Sequence, residues 1–268
     1  MNQFRHRARK RFGQNFLRDQ AIIARIFAAA DIAPTDRVLE IGPGTGALTR
    51  GLLQKAAKVV VLELDRDLVA RWQEDPAENL EVVAGDALAL DWRQFAPMAP
   101  LKMVANLPYN ISSQVLFRII ENRRLFSRLV LMFQKEVGDR LLAVPGTRDY
   151  GILSVCAQLW FDIRRVCHVP PQAFRPAPKV DSVVLLFEPL SEPRVQVADA
   201  ALFDRLVRGA FRQRRKTLRN SLQGAGFSTE RIDAALRLAD IEPSRRGETL
   251  GLEDFARLTA CWLQAGEH

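Results

Sequence analysis

Asn106-Leu107-Pro108-Tyr109 gathers two hydrogen-bond acceptors and an aromatic ring into four consecutive positions. Asn106 offers a side-chain carbonyl oxygen, and Leu107, restricted by the proline that follows it, offers a main-chain carbonyl aimed at the same point. Acceptors so placed can take the two N–H groups of an aromatic amine and draw its nitrogen from planar toward tetrahedral geometry, while Tyr109 stacks on the ring that carries it. The exocyclic amine of adenine needs such help, because its lone pair is delocalised into the purine and it is a poor nucleophile. Stacking is worth about 1–3 kcal/mol per base and holds the amine within reach of a methyl donor. No general base is required, since the amine becomes acidic once it carries the incoming methyl, and Asn rather than Asp at 106 suits an acceptor that is not a base. The same residues also read as a plain turn after a strand.

The elements around this motif alternate short apolar runs with helical periodicity, the pattern of a parallel sheet with helices on both faces. Strands are expected at Arg37 to Ile41, Lys58 to Glu63, Leu80 to Ala84, Lys102 to Ala105, Arg128 to Gln134, Ile152 to Phe161 and Val180 to Phe187, and helices at Ala47 to Gln54, Asp67 to Glu74 and Ile111 to Glu121. The last strands follow one another with little helix between them, which suggests an antiparallel edge. This is the arrangement of a class I, Rossmann-like methyltransferase sheet. Prolines and acids near Pro189 to Pro193 end it, and helical patterns follow at Ala200 to Phe211, Lys216 to Leu222, Glu230 to Leu238 and Leu252 to Leu263. The expected organisation is therefore α/β over 1–190, with a small all-α domain over 191–268.

Val38-Leu39-Glu40-Ile41-Gly42-Pro43-Gly44-Thr45-Gly46 sets a buried strand directly before a glycine-rich turn and a helix. Glycines there let backbone approach a ligand closely. Gly42, Gly44 and Ala47 also fit a dinucleotide fingerprint, and both readings ask for an acid at the end of the next strand to accept from ribose hydroxyls, a place Glu63 fills. The third strand end carries Asp86, which can accept from the adenine amine of S-adenosylmethionine or cap a helix. Asn106 ends the fourth. Four successive strand ends thus bring glycine or polar residues to one crevice, where open α/β sheets bind ligands.

Composition limits the remaining classes. Cys156, Cys167 and Cys261 are odd in number and lack metal-ligand spacing, and His6, His168 and His268 are scattered, so neither a disulfide framework nor a metal is expected. The most apolar helix-like stretch, Ala21 to Ala33, contains Arg25 and is too short to span a membrane. The basic N-terminus has no apolar core behind it and does not read as a secretory signal, which implies the cytoplasm. Lys and Arg exceed Asp and Glu by 39 to 31, a net charge of +8 that favours a polyanionic partner. Arg5 to Arg11 holds five basic residues of seven and Arg212 to Arg219 five of eight. Both runs read as solvated surface or as phosphate clamps, with Arg214, Arg215 and Lys216 the main candidates for RNA contact.

These motifs closely resemble the KsgA/RsmA family of small-subunit ribosomal RNA adenine dimethyltransferases. The resemblance spans essentially the whole chain: Arg9 to Leu17, the glycine turn, Glu63-Leu64-Asp65, Gly85-Asp86-Ala87, Asn106 to Ser112, Pro170 to Ser182, and Phe211 to Ser221. It implies that Asn15 and Leu17 fold over S-adenosylmethionine beside Gly42, Gly44, Glu63, Asp86 and Asn106. It implies also that Phe174 is a second aromatic face, sandwiching a flipped adenine against Tyr109; read alone, Phe174 is an aromatic in a proline-rich loop that packing would explain. The implied substrate is 16S rRNA in the immature 30S subunit, where two adjacent adenosines of the 3′-terminal hairpin loop each receive two methyl groups. No obligate protein subunit is evident. A large-subunit adenine dimethyltransferase shares the active-site logic, a non-catalytic assembly factor would share the basic surfaces, and a dinucleotide oxidoreductase shares only the glycine turn and the acid at Glu63.

Overall fold

The computed structural model describes residues 14–266 of the 268-residue chain. Its strands are β1 (Phe16–Leu17), β2 (Arg37–Ile41), β3 (Lys58–Glu63), β4 (Leu80–Ala84), β5 (Leu101–Asn106), β6 (Phe126–Gln134), β7 (Phe161–Val169), β8 (Phe174–Arg175) and β9 (Ser182–Pro189). Its helices are α1 (Gln20–Ala30), α2 (Thr49–Lys55), α3 (Arg66–Gln73), α4 (Ser112–Glu121), α5 (Lys135–Leu142), α6 (Ile152–Gln158), α7 (Ala200–Ala210), α8 (Leu218–Gly224), α9 (Thr229–Leu238) and α10 (Leu252–Gln264).

Seven strands form one sheet in the order β4-β3-β2-β5-β6-β9-β7. From β4 to β6 the pairs are parallel, and β9 runs antiparallel to β6. The central strands read RVLEI, KVVVLE and LKMVAN, and successive residues such as Val59, Val60 and Val61 are all fully buried. Burial of both strand faces requires layers on both sides of the sheet, which is why these segments are apolar runs rather than alternating ones. On one side Ile22, Ile23 and Ile26 of α1 join Val38, Val104, Val130 and Val184 in one core. Strand order reverses between β2 and β5, and a ligand crevice is expected beyond the carboxyl ends of the strands at such a point. The glycine turn leaves β2 there, and Asn106 closes β5.

Two departures from the sequence-based expectation lie between β6 and β7. Ile152 to Phe161 is not a strand: α6 occupies Ile152–Gln158, and the strand begins only at Phe161. The segment between β6 and β7 is also helical, as α5 and α6, where little helix is expected from the sequence. For Ile152 to Phe161, a short, mostly apolar run suits a buried helix as well as a strand, so periodicity does not separate them. Local hydrogen bonds do: the Ser154 hydroxyl accepts from Gly151 N–H at 3.1 Å and donates to the Arg140 carbonyl at 2.6 Å.

The chain divides into two compact units. One runs to Gly138 and resumes over Asp162–Pro189; the other combines Asp139–Phe161 with the chain from Leu190 onward. This differs from a single cut near residue 190, because α6 packs on α7 and belongs with the C-terminal helices. That helical unit is built on Phe203, Phe211 and Phe255, with neighbouring ring centroids 6.0–6.3 Å apart. Asp199, Thr217 and Ser228 cap the N-termini of α7, α8 and α9.

Candidate active site

A cavity of about 330 Å³ opens at the reversal point of the sheet, within the α/β unit. Its floor is the turn from Gly42 to Gly46. Gly42, Gly44 and Gly46 have φ of 68°, 55° and 95°, the left-handed region that side chains disfavour. At Gly44 and Gly46 space is missing too, since an added Cβ would lie 2.9 Å from the Phe16 ring or 2.7 Å from the Trp72 ring. The Trp72 indole N–H donates to the Gly44 carbonyl at 3.1 Å and fixes the turn from beneath.

One wall is the N-terminal strap, residues 14–18. The Gln14 side chain donates to Asp65 Oδ2 at 3.1 Å, β1 pairs with β8 (Phe16 with Arg175, Leu17 with Phe174), and Arg18 N–H donates to the Ala173 carbonyl at 2.8 Å. Immediately after it Asp19 caps α1, whose isoleucines are buried in the core, so the strap is anchored at both ends.

A second wall, joined to the strap, carries Asn106 to Ile111. The Asn106 amide nitrogen donates to the Asn15 main-chain carbonyl at 3.1 Å, while its Oδ1 is buried with no hydrogen-bond partner. A buried acceptor left unpaired costs about 1–3 kcal/mol; it is a group held ready for a donor from outside the chain. Tyr109 is fixed by a hydrogen bond between its hydroxyl and the Ser182 hydroxyl, 2.6 Å, and burial raises its phenolic pKa.

The charged side chains lining the cavity are all acids: Glu40, Glu63 and Asp86. Glu63 Oε1 accepts from the N–H groups of Leu64 and Asp65 at 2.9 Å each, and Oε2 from Gly44 N–H at 3.4 Å. Burial raises its pKa against those three bonds, and Asp65 adds to the rise. Asp86 Oδ1 accepts from Leu88 N–H at 2.9 Å, capping a turn rather than a helix. Glu40 is 2% exposed, and its Oε2 has no partner. Burial pushes the Glu40 carboxyl up to about 8; the Thr49 hydroxyl, which faces it without completing a hydrogen bond, pulls it down, and Glu63 pushes it further up. A cavity so lined favours a cationic ligand.

Asn15, Leu17, Gly42, Gly44, Glu63, Asp86, Asn106, Leu107, Pro108 and Tyr109 therefore meet around one space. Phe174 does not line it. Its pairing with Leu17 turns the ring into the core, where it is 5% exposed. Arg214, Arg215 and Lys216 are exposed between α7 and α8 in the helical unit; Arg214 is tied to the Arg148 carbonyl and lies 3.9 Å from Glu248. Arg5 to Arg11 lies outside the described residues. Sequence reading assigns no role to Glu40 or Ser182. A lone charge inside an apolar strand marks the first; nothing in the sequence pairs the second with a tyrosine 73 residues away.

The profile of the family described as "Ribosomal RNA adenine dimethylase" matches residues 5–259. The chain belongs to this family. It is 58% identical over 253 residues to "Ribosomal RNA small subunit methyltransferase A" of Syntrophotalea carbinolica, covering 94% of this chain and 96% of that protein. Among solved structures, a dimethyladenosine transferase from Plasmodium falciparum superposes with a TM-score of 0.80 at 31% identity, covering 94% of this chain and 98% of that one. The 23S rRNA methyltransferase ErmE follows at a TM-score of 0.68 and 30% identity, with 93% and 100% covered. The sheet is thus that of a class I methyltransferase, and the chain is an rRNA adenine dimethyltransferase by family. Among the described residues no cluster of His, Cys, Asp and Glu is arranged for a metal, and no helix is long and apolar enough to cross a membrane.

Proposed function

We propose that this chain transfers methyl groups from S-adenosylmethionine to N6 of two adjacent adenosines in the 3′-terminal hairpin loop of 16S rRNA, in the cytoplasm, on the immature small subunit. The observation that carries the reading is the buried, unpartnered Asn106 Oδ1 on the wall of an acid-lined, glycine-floored cavity. When bound, S-adenosylmethionine supplies a methyl group on a cationic sulfur. Gly42 and Gly44 give it room, Glu63 and Asp86 offer acceptors to its ribose and adenine, and the strap at Asn15 and Leu17 closes over it.

Asn106 Oδ1 and the Leu107 carbonyl accept from the target amine and raise its nucleophilicity, and Tyr109 stacks on the base. The proton lost after transfer leaves to water. Dimethylation requires the pocket to admit one methyl where an acceptor first held a hydrogen. For Phe174 to supply the opposite face of a sandwich, its ring must leave the core while the β1–β8 main-chain pair stays formed. Arg214, Arg215 and Lys216 clamp phosphates without reading bases.

Replacing Tyr109 with Ala removes a stack worth about 1–3 kcal/mol, so substrate KM should rise by about 5- to 150-fold, measured on small subunits. Ser182→Ala should show a weaker version of the same change, since it leaves the ring but frees its hydroxyl.

The Glu40 carboxyl gives a pH signature. Its pKa is raised in the folded chain, from about 4.5 to about 8, so the native state binds the extra proton between those values and stability falls as pH rises through that window. Glu40→Gln should flatten this fall in Tm. The cationic donor favours the ionised carboxyl, so its binding near neutral pH should release a proton, visible as a buffer-dependent heat in calorimetry.

Support for the small subunit over the large comes from the name carried by the 58% identical relative. Labelling 30S and 50S precursors side by side tests it. Incorporation into 30S particles alone is the expected result; incorporation into 50S particles alone would reassign the target.

A further inference from the structure

Asn106 uses its amide in two directions at once, and the partner on the far side is main chain. Its nitrogen donates to the Asn15 carbonyl at 3.1 Å; its oxygen is buried and unpaired at the cavity. An amide can rotate by half a turn and exchange these ends with almost no change of shape. Nothing in Asn106 itself decides which end faces the cavity. The Asn15 carbonyl decides it, because an oxygen turned toward that carbonyl would meet acceptor with acceptor. We infer that Asn15, through its main-chain carbonyl, is a positioning residue that sets the polarity of the Asn106 amide, so that the amine-accepting oxygen exists in the cavity only while the strap of residues 14–18 is in place.

This rests on the reading of Asn106 as acceptor for the target amine, and it explains why position 106 requires an amide. A carboxylate would accept from the amine equally well, but it would have no hydrogen for the Asn15 carbonyl and would set a negative oxygen against it. It also gives the strap a second task. The Gln14 to Asp65 bond, the β1–β8 pair and the Arg18 to Ala173 bond hold Asn15 at this spot. A strap that lifts to exchange cofactor withdraws the carbonyl at the same time, so the acceptor is assembled only over a closed cofactor site.

The test is the pH profile of Asn106→Asp on small-subunit substrate, beside wild type, from about pH 5.5 to about pH 8.5. An introduced carboxyl facing a carbonyl in a buried site has a raised pKa. Protonated, it restores the amide's pattern, since its O–H donates to the Asn15 carbonyl and its C=O accepts from the amine. The variant's activity relative to wild type should therefore be highest at low pH and fall at least about tenfold as pH rises through that pKa. A constant or rising ratio would overturn the inference while leaving the proposed function intact, provided wild type methylates; a wild type inactive on every adenine substrate would instead remove the function itself.

Arg18→Pro, which deletes the N–H that holds the strap to Ala173, gives a second reading if Asn106→Asp fails to fold. Displacement of about 1 Å costs on the order of 10²-fold, so kcat at saturating cofactor should drop by about that factor. A change confined to cofactor KM, with kcat unaltered, would overturn the inference.

Discussion

Asn106→Ala is expected to lower kcat on small-subunit substrate by about 10²- to 10³-fold, the loss of roughly 2.7–4 kcal/mol seen when one preorganised group facing developing charge is removed. As the methyl bond forms, positive charge develops on the amine and its hydrogen bond to Oδ1 strengthens; the Leu107 carbonyl remains as the second acceptor, so some activity should survive. Donor affinity should change far less, because Glu63, Asp86 and the glycine turn are untouched. Single-turnover transfer at saturating donor separates the two effects. An unchanged rate constant with weakened donor binding would show Asn106 to be a cofactor contact rather than the amine acceptor.

Glu63→Ala is expected to weaken S-adenosylmethionine by about 10- to 10²-fold, from hydrogen bonds to a charged group worth roughly 1.5–3 kcal/mol. Its carboxylate also accepts from three backbone N–H groups, including that of Gly44, so the alanine variant loosens the floor as well as removing the acceptor. Glu63→Gln keeps one carbonyl oxygen and should lose less. Titration calorimetry measures both. Equal affinities for wild type and the alanine variant would remove Glu63 from the cofactor site.

Much of this site is visible in the sequence because it is built where strands stop. Gly42, Glu63, Asp86 and Asn106 follow or close four consecutive strands, and parallel strands in one sheet deliver their ends to one edge, so local reading suffices to bring these residues together. What local reading misses depends on partners distant in sequence. Ser182 reaches Tyr109 from β9, and the Asn15 carbonyl reaches Asn106 across 91 residues. Glu40 is apparent as a charge in an apolar strand, but its raised pKa depends on burial and on Glu63. The resemblance places Phe174 at the cavity, and the pairing of β8 with the strap turns it into the core instead. Ile152 to Phe161 departs from expectation for a different reason: its mostly apolar run is too short for either period to win, and the hydrogen bonds that the Ser154 hydroxyl accepts from Gly151 and donates to Arg140 favour helix.

Methylation of adenine N6 in the small subunit is the reaction proposed for the cavity. Its most direct test is mass spectrometry of the 3′-terminal hairpin fragment from undermethylated 30S subunits, after incubation with the purified chain and S-adenosylmethionine. The expected result is a gain of four methyl groups, with N6,N6-dimethyladenosine recovered from both adjacent adenosines and only a small fraction of that yield with Asn106→Ala over the same interval. Methyl groups on any other atom or nucleotide, or an unmodified fragment despite tight donor binding, would contradict it.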